Sequence, residues 1–476
     1  MDIAIIGAGA AAVGVLDALA AESEGTASIT VFEPSPHLWR GRPYSPDLDS
    51  VLVNAPPAIM SIRHGDFGHF SAWLGERGRD HLDERLDRPL IPRAMYGQYL
   101  VDTAEAASRV LRERGGTVEA VAARVIAIAR AGDRLAVRTE DGREFGADRV
   151  VLCVGAGTPR DHYKLTGAPG FAADPYPLAR TLDTVPASAD VAVIGSGLTA
   201  VDIVVSLAAR GHTGRIGLLS RGGTLPHVWQ RPVDRRPQHM TGERVAALAR
   251  ERGGVTIDDL IGLLRKELAE AGEDFSAFAS DLLASPSQDP AERLRSQLDA
   301  VDDPRIGRRF LQEAAHMAGP LAWRHLAAAD RDRVRRIARL ATGIASPMVP
   351  VNAAAMLRLF DSGQLTVTAG LERIEHRGGR FRIRHGGGEA SADVVLNAVN
   401  PAPQSVPSGA AELVAALLAA GLATTGPEGG LNAADPRLHV VGDLAAGGLF
   451  LTSSIPGVAA QAARAVQAFR EALLHL

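Results

Sequence analysis

The sequence holds a single cysteine, Cys153, in 476 residues. That excludes an internal disulfide, a CxxC redox pair and any multi-cysteine metal site. Its surroundings, VVLCVG, place it in a buried strand. HExxH and the Walker phosphate loop are both absent. His64 and His69, in RHGDFGHF, have no recognised ligand spacing and read as surface or pocket histidines. No run approaches the roughly 20 apolar residues of a membrane helix. The apolar N-terminus has no basic segment before it, so no signal peptide is expected and a cytoplasmic location follows by default. A formal net charge of -4 gives no overall attraction to nucleic acid or to an anionic membrane. Aromatic residues are 4%, which argues against a large aromatic or steroid substrate. What is present is an ordinary globular balance, 46% hydrophobic and 22% charged, in a chain long enough for two or three domains.

Two stretches stand out. IAIIGAGAAAVG (residues 3–14) and VAVIGSGLTAVD (residues 191–202) each read as a buried strand, a glycine turn and a helix. A dinucleotide pyrophosphate binds where a helix N-terminus offers free N–H groups and a positive dipole end, and glycine allows the close approach. The first turn is Gly7-x-Gly9-x-x-Ala12. Glu33 ends the following strand, 21 residues after Ala12, where an acid binds a ribose hydroxyl. The second turn is Gly195-Ser196-Gly197-Leu198-Thr199-Ala200. Its following strand ends in Ser220-Arg221 instead of an acid. Arginine there suits the 2′-phosphate of NADP, although a solvated turn residue would look the same. One turn is therefore expected to hold FAD and the other NADPH.

The fold class expected is α/β, with two Rossmann-like dinucleotide-binding domains and a helical insertion. Residues 1–187 and 392–476 form the FAD-binding domain in this reading. Residues 188–232 and 341–391 form the NAD(P)H-binding domain, and 233–340 a helical substrate cap. A helix is expected over 66–78 and another over 95–113. VEAVAARVIAIA, RLAVRTE and DRVVLCVG read as a small antiparallel excursion that returns to the main sheet, and LHVVGD (438–443) as a last buried strand.

With both turns and the closing GD segment in place, the chain resembles the two-dinucleotide-binding flavoprotein monooxygenases. These include the flavin-containing monooxygenases and the amino-acid N-hydroxylases. HLWRGRPYS (37–45) resembles the segment that puts a tryptophan and an arginine near the flavin, here Trp39 and Arg40. VLVNAPPAIMSI (51–62) resembles the segment whose asparagine faces the reactive edge of the flavin. The resemblance implies that Asn54 is catalytic, with Met60 packing beside it. By itself Asn54 reads equally as a loop-stabilising side chain. The resemblance also implies flavin contacts from Val125, Gly155, Gly442 and Asp443. The FxGxxxHxxx(Y/F) signature of the flavin-containing monooxygenases is missing between the turns.

The activity implied is an FAD- and NADPH-dependent monooxygenase. It would use O2, through a C4a-hydroperoxyflavin, to hydroxylate the amine of a small amino acid or related metabolite. A flavoprotein reductase with an organic or protein acceptor is the alternative, and a flavin-binding protein without activity a third. Arg231, Arg235 and Arg324 lie in arginine-rich stretches at the edge of the cap and within it, and are candidates for a substrate carboxylate. Most such arginines sit on solvated helix faces. The sequence leaves open whether the chain forms a homo-oligomer.

Overall fold

The computed structural model describes residues 1–21, 26–233, 235, 237–284, 287–336, 338–447 and 454–474. Two five-stranded sheets organise the chain. The first runs Leu438–Val440, Arg149–Leu152, Asp2–Ile6, Ser28–Phe32, Thr117–Val121. The second runs Phe171–Ala172, Val394–Asn397, Val191–Ile194, Ile216–Leu219, Leu365–Thr368. Every pairing in both is parallel. The two sheets share one plan. Each central strand runs through a glycine turn into a 12-residue helix, Ala10–Ala21 or Leu198–Ala209. A three-stranded antiparallel sheet precedes each returning strand: Val125–Ala131, Arg134–Thr139 and Glu144–Ala147 in one unit, Leu371–Arg377, Arg380–His385 and Gly388–Ala392 in the other.

The strand sequences explain the layering. Successive side chains point to opposite faces, and a parallel sheet is covered on both, so these strands are apolar throughout. Ile3, Ile5, Ile29, Val31 and Val151 pack with the helices Ala10–Ala21, Arg93–Glu113 and Ile455–Leu474. Ala4, Ile6, Phe32, Val150 and Leu152 pack on the opposite face with the antiparallel sheet and helix Ala411–Ala419. The second sheet repeats this. Val191, Val193, Ile216 and Leu218 join one core, and Ala192, Ile194, Leu219 and Val395 another with Ile374, Phe381 and Ile383.

Four expectations need correction. VEAVAARVIAIA is not one antiparallel strand. Thr117–Val121 edges the parallel sheet, and only Val125–Ala131 enters the excursion, after a break at 122–124. DRVVLCVG is the main-sheet strand, and Glu144–Ala147 completes the excursion. The helix expected over 66–78 is α-helical only over His69–Leu74. Gly75 (φ +45) turns it into the 3-10 segment Gly75–His81. The domain boundaries also move: Phe171–Ala172 and Val394–Asn397 both belong to the second sheet, so the chain enters that unit before 188 and leaves it after 392.

The two crossings between the units lie side by side. Asn397 Nδ2 donates to the carbonyls of Arg160 and Ala173 at 3.3 and 3.0 Å.

The insertion is a run of helices from Gly242–Arg252 to Ala338–Ala345. Thr256 and Asp259 form a capping box on Ile257–Glu270, and Asp289 caps Pro290–Asp299, each cap contributing about 1 kcal/mol. Its neck is a short backbone pairing: Trp229 N–H donates to the Met348 carbonyl and Met348 N–H to that of His227, at 3.0 and 2.7 Å. Arg331 and Arg335 both pair with Glu428, which ties the insertion to the first unit. No described helix is long and apolar enough to cross a membrane.

Candidate active site

The two glycine turns are built alike. Gly7 has φ +95, and its N–H donates to the Phe32 carbonyl at 2.8 Å. A Cβ on it would fall on the carbonyl oxygen of Cys153 and 2.9 Å from the carbonyl carbon. Gly195 has φ +113, and its N–H donates to the Leu219 carbonyl at 2.7 Å. A Cβ there would meet the Ala398 oxygen at 3.2 Å. Cys153 and Ala398 follow equivalent strands. The residue type is thus dictated twice by one geometry: a positive φ above a neighbouring strand's exit.

Around the first turn the structure collects most of the residues named from sequence. Glu33 accepts N–H bonds from Ala8 and Ser35, both at 2.9 Å, which holds its carboxylate against the turn. Gly9 faces Gly41, with a hypothetical Cβ 3.5 Å from the Gly41 Cα. Ala12 is fully buried. A Cβ on Gly442 would contact the Ala11 Cβ at 3.6 Å, and the Gly442 N–H donates to Gln461 at 2.7 Å. Burial pushes the Tyr44 phenol up to about 12. The Arg93 charge opposes that shift and the Asp443 carboxylate adds to it. Gly155 is exposed at φ +75, with open space where a Cβ would be.

Trp39 (φ +69) packs on the first core, and Arg40 donates to the Ala94 carbonyl and to Gln98 at 3.1 and 2.7 Å. Arg40 therefore braces its loop on helix Arg93–Glu113. The Val125 side chain is packed in the core with Phe32, Ile128 and Leu135, which leaves its main chain for any cofactor contact.

The 51–62 loop is held from beneath. Val53 N–H donates to Ile91 at 2.9 Å, and Tyr96 Oη donates to the carbonyl of buried Met60 at 2.8 Å. Trp229, at the neck of the insertion, donates its indole N–H to the Asn54 carbonyl at 3.0 Å. The Asn54 side chain is different. Both Oδ1 and Nδ2 are buried, and neither has a hydrogen-bond partner among the described residues. A buried amide with nothing to bond is costly, so such groups in native proteins meet protein, water or ligand.

At the second turn, Ser196 Oγ donates to the Thr224 carbonyl at 2.7 Å and lies 3.0 Å from Ser220 Oγ. Thr199 Oγ1 donates to Asn400 at 3.0 Å, joining the turn to the return crossing. Leu198 opens the helix. Its N-cap, Gly197, makes no side-chain cap bond, and a Cβ there would sit in open space. First-turn N–H groups are therefore left for a ligand. Arg221 is exposed next to this turn.

The arginines chosen from the cap are not brought together. Arg231 pairs with Asp302 at 2.6 Å and donates to the Glu84 carbonyl, so it is not free for a substrate. Arg235 is half-buried and Arg324 exposed, and neither lines the cavity of the insertion. Sequence reasoning also missed a polar cluster between the units. Arg93 pairs with fully buried Asp202 at 2.7 Å, and Tyr176 Oη donates to the same carboxylate at 2.5 Å. Arg93 begins the helix under the first sheet, and Asp202 sits in the helix after the second turn.

His227 is buried at the neck. Burial, then the charges of Arg293 and Arg308, pull its pKa down to about 3. Below pH about 6.5 the unfolded chain binds a proton here that the folded chain refuses. Stability is then expected to fall as pH drops from about 6.5 toward 3, and His227→Gln to flatten that slope. Thermal melts across this range check it; an unchanged slope in the variant contradicts it.

These turns and sheets define the class: an α/β protein with two Rossmann-like units, each carrying a dinucleotide-type glycine turn. Residues 4–157 match a family model described as FAD-NAD(P)-binding. No curated protein matches the chain. Solved structures do. Ornithine N-hydroxylase of Kutzneria sp. 744 is 16% identical, with 99% of each chain covered and a TM-score of 0.54. L-lysine 6-monooxygenase of Pseudomonas syringae is 16% identical, covering 98% of this chain and 99% of that one, with a TM-score of 0.59. The cadaverine monooxygenase of Erwinia amylovora, solved with FAD, is 12% identical over 98% and 94%, with a TM-score of 0.59. The chain has the fold of these flavin monooxygenases over nearly its whole length.

Proposed function

We propose that the chain is an FAD- and NADPH-dependent monooxygenase that hydroxylates the amine of a small amino acid or related metabolite. The observation that carries this is the Asn54 amide, buried and unpartnered among the described residues, in the loop whose Val53 and Met60 pack in the first unit's core. FAD belongs at the first turn in this reading. Glu33 would bind a ribose hydroxyl, the first-turn N–H groups of helix Ala10–Ala21 the pyrophosphate, and Asp443 the chain near Tyr44. NADPH belongs at the second turn, with the uncapped helix after Gly197 on its pyrophosphate and Ser220 and Arg221 toward the 2′-phosphate. The bound flavin supplies hydride acceptance and oxygen activation. Asn54 offers an NH2 with two donor hydrogens, a carbonyl acceptor and no acidic proton, so it can orient a group without protonating it. Trp229 closes the loop over Asn54 and ties water exclusion to the cap.

The domain roles follow. The first sheet's unit binds FAD, the second NADPH, and the insertion covers the substrate. O2 and a small amine are the expected partners, and the cytoplasm the expected location. The test measures hydroxylated amine formed per NADPH consumed by the FAD-loaded chain, over a set of small amino acids and diamines. Product near one per NADPH is expected with one of them. NADPH consumed with only hydrogen peroxide or a reduced acceptor as product would sink the reading in favour of a reductase.

A further inference from the structure

The helical insertion encloses a cavity of about 530 Å³, walled by the neck residues His227 and Gln230 and by the helices that carry Arg293 and Arg308. Its charges divide unequally into paired and unpaired. The acids are committed. Glu273 accepts from the backbone N–H groups of Ile306 and Gly307, and Asp274 from that of Ser276. Asp281 and Asp303 pair with Arg305. Two cations are not. Arg308 makes no hydrogen bond or ion pair among the described residues. Among the described residues the Arg293 guanidinium, 5% exposed, donates only to the Leu225 carbonyl, at 2.8 Å. Burial lowers the pKa of both guanidinium groups; at Arg308 the Asp303 and Asp281 carboxylates oppose that shift without forming an ion pair with it.

The neutral groups sharpen the picture. Gln297 Oε1 accepts from Val228 N–H at 3.2 Å, which fixes the amide so that Nε2 faces His227 Nδ1, also at 3.2 Å. Nδ1 is therefore an acceptor, and the proton of the neutral ring sits on Nε2, where it meets no partner. Gln230 uses Nε2 on the Ala300 carbonyl at 2.9 Å and leaves Oε1 buried without a donor. The wall thus combines two under-paired guanidinium groups and an N–H donor with one unused acceptor.

We infer that this cavity binds the carboxylate end of a small amino-acid ligand, with Arg308 and Arg293 on the carboxylate and Gln230 accepting from its amine. The inference rests on the monooxygenase reading only in calling that ligand the substrate. The same oxyanion chemistry would also suit the 2′-phosphate of NADP, since Leu225 lies four residues beyond Arg221. A planar guanidinium fork matches either group.

The experiment is calorimetric titration of the FAD-loaded full chain with L-alanine and L-ornithine, with the matching decarboxylated amines, and with NADP⁺. Wild type, Arg308→Gln and Arg308→Lys are compared. At least one amino acid is expected to bind about tenfold or more tighter than its decarboxylated amine. Arg308→Gln should erase that preference, Arg308→Lys should keep part of it, and NADP⁺ affinity should not change. The unliganded Arg308→Gln variant should melt no lower than wild type, because an unpaired cation has been removed. A melting point several degrees lower makes Arg308 a structural residue and overturns the proposal. So does equal binding of acid and amine, no binding by any amino acid, or a loss confined to NADP⁺, which would assign the oxyanion to the cofactor. An amino acid that binds through Arg308 and is never hydroxylated leaves this site standing and sinks the activity proposed above.

Discussion

Gly7→Ala is expected to strip the protein of FAD and to lower its stability by about 3 kcal/mol or more. Two penalties combine. An L-residue at φ +95 costs about 1–2 kcal/mol. The added Cβ also collides with the Cys153 carbonyl, which is backbone at the exit of a central strand and cannot swing aside as a side chain could. The strands would have to part just where the N–H bond from Gly7 to Phe32 closes the turn. Gly197→Ala is the control. It adds the same methyl group where nothing stands within 4 Å, so the melting point should hold while NADPH binding weakens. Thermal unfolding and the flavin-to-protein absorbance ratio read Gly7→Ala, and thermal unfolding with an NADPH titration reads Gly197→Ala. A Gly7→Ala protein that melts and loads like wild type would refute the argument.

Arg93→Met is expected to cost about 3–5 kcal/mol, because it leaves Asp202 buried and fully shielded from water with its counter-ion gone. Asp202 in the wild type is already pushed upward by burial, with Arg93 the main opposing influence. Without Arg93 the carboxyl is pushed further. A folded-state pKa above the unfolded one makes stability fall as pH rises past the ordinary carboxylate range, so the variant should be more stable in mild acid than at neutrality. That slope is opposite in sign to the one expected from His227. The double variant Arg93→Met with Asp202→Leu should recover most of the loss, since no charge remains buried. If the double variant is as unstable as the single one, the pair is not the source of the cost. The single variant should also turn over slowly, because Arg93 and Asp202 tie the helix under the first sheet to the helix after the second turn.

The glycine turns, the acid at Glu33 and the central strands were legible because local geometry alone dictates them. Gly7 and Gly195 must be glycine wherever such a turn meets a neighbouring strand, so the pattern survives in the sequence. The closing helix was legible over its whole extent, Ile455–Leu474, from its period. Leu371–Arg377 was not, because charges at Glu372, Arg373, Glu375 and Arg377 hide a strand whose buried contacts are mainly Leu371 and Ile374. The Asn54 side chain could be pointed to only by resemblance, since nothing in NAPP reveals an amide with no partner. Arg93, Asp202 and Tyr176 are far apart in sequence and meet only through packing. Arg293 and Arg308 sat within stretches rich in arginine, but which arginines lack partners is decided by where Asp302, Asp303 and Asp281 fall.

The first sheet draws its strands from both ends of the chain, with Leu438–Val440 lying against Arg149–Leu152. On a ribosome adding about 5–20 residues per second, the segment between them takes on the order of 15–60 s to emerge. Through that interval the Arg149–Leu152 strand, paired on one side with Asp2–Ile6, leaves the main-chain groups of its other side open. An open parallel edge is a template for other chains. Yield in a host cell should therefore depend on how fast this message is read and on what shields the waiting edge. Chains cut short before residue 438 would carry that edge permanently.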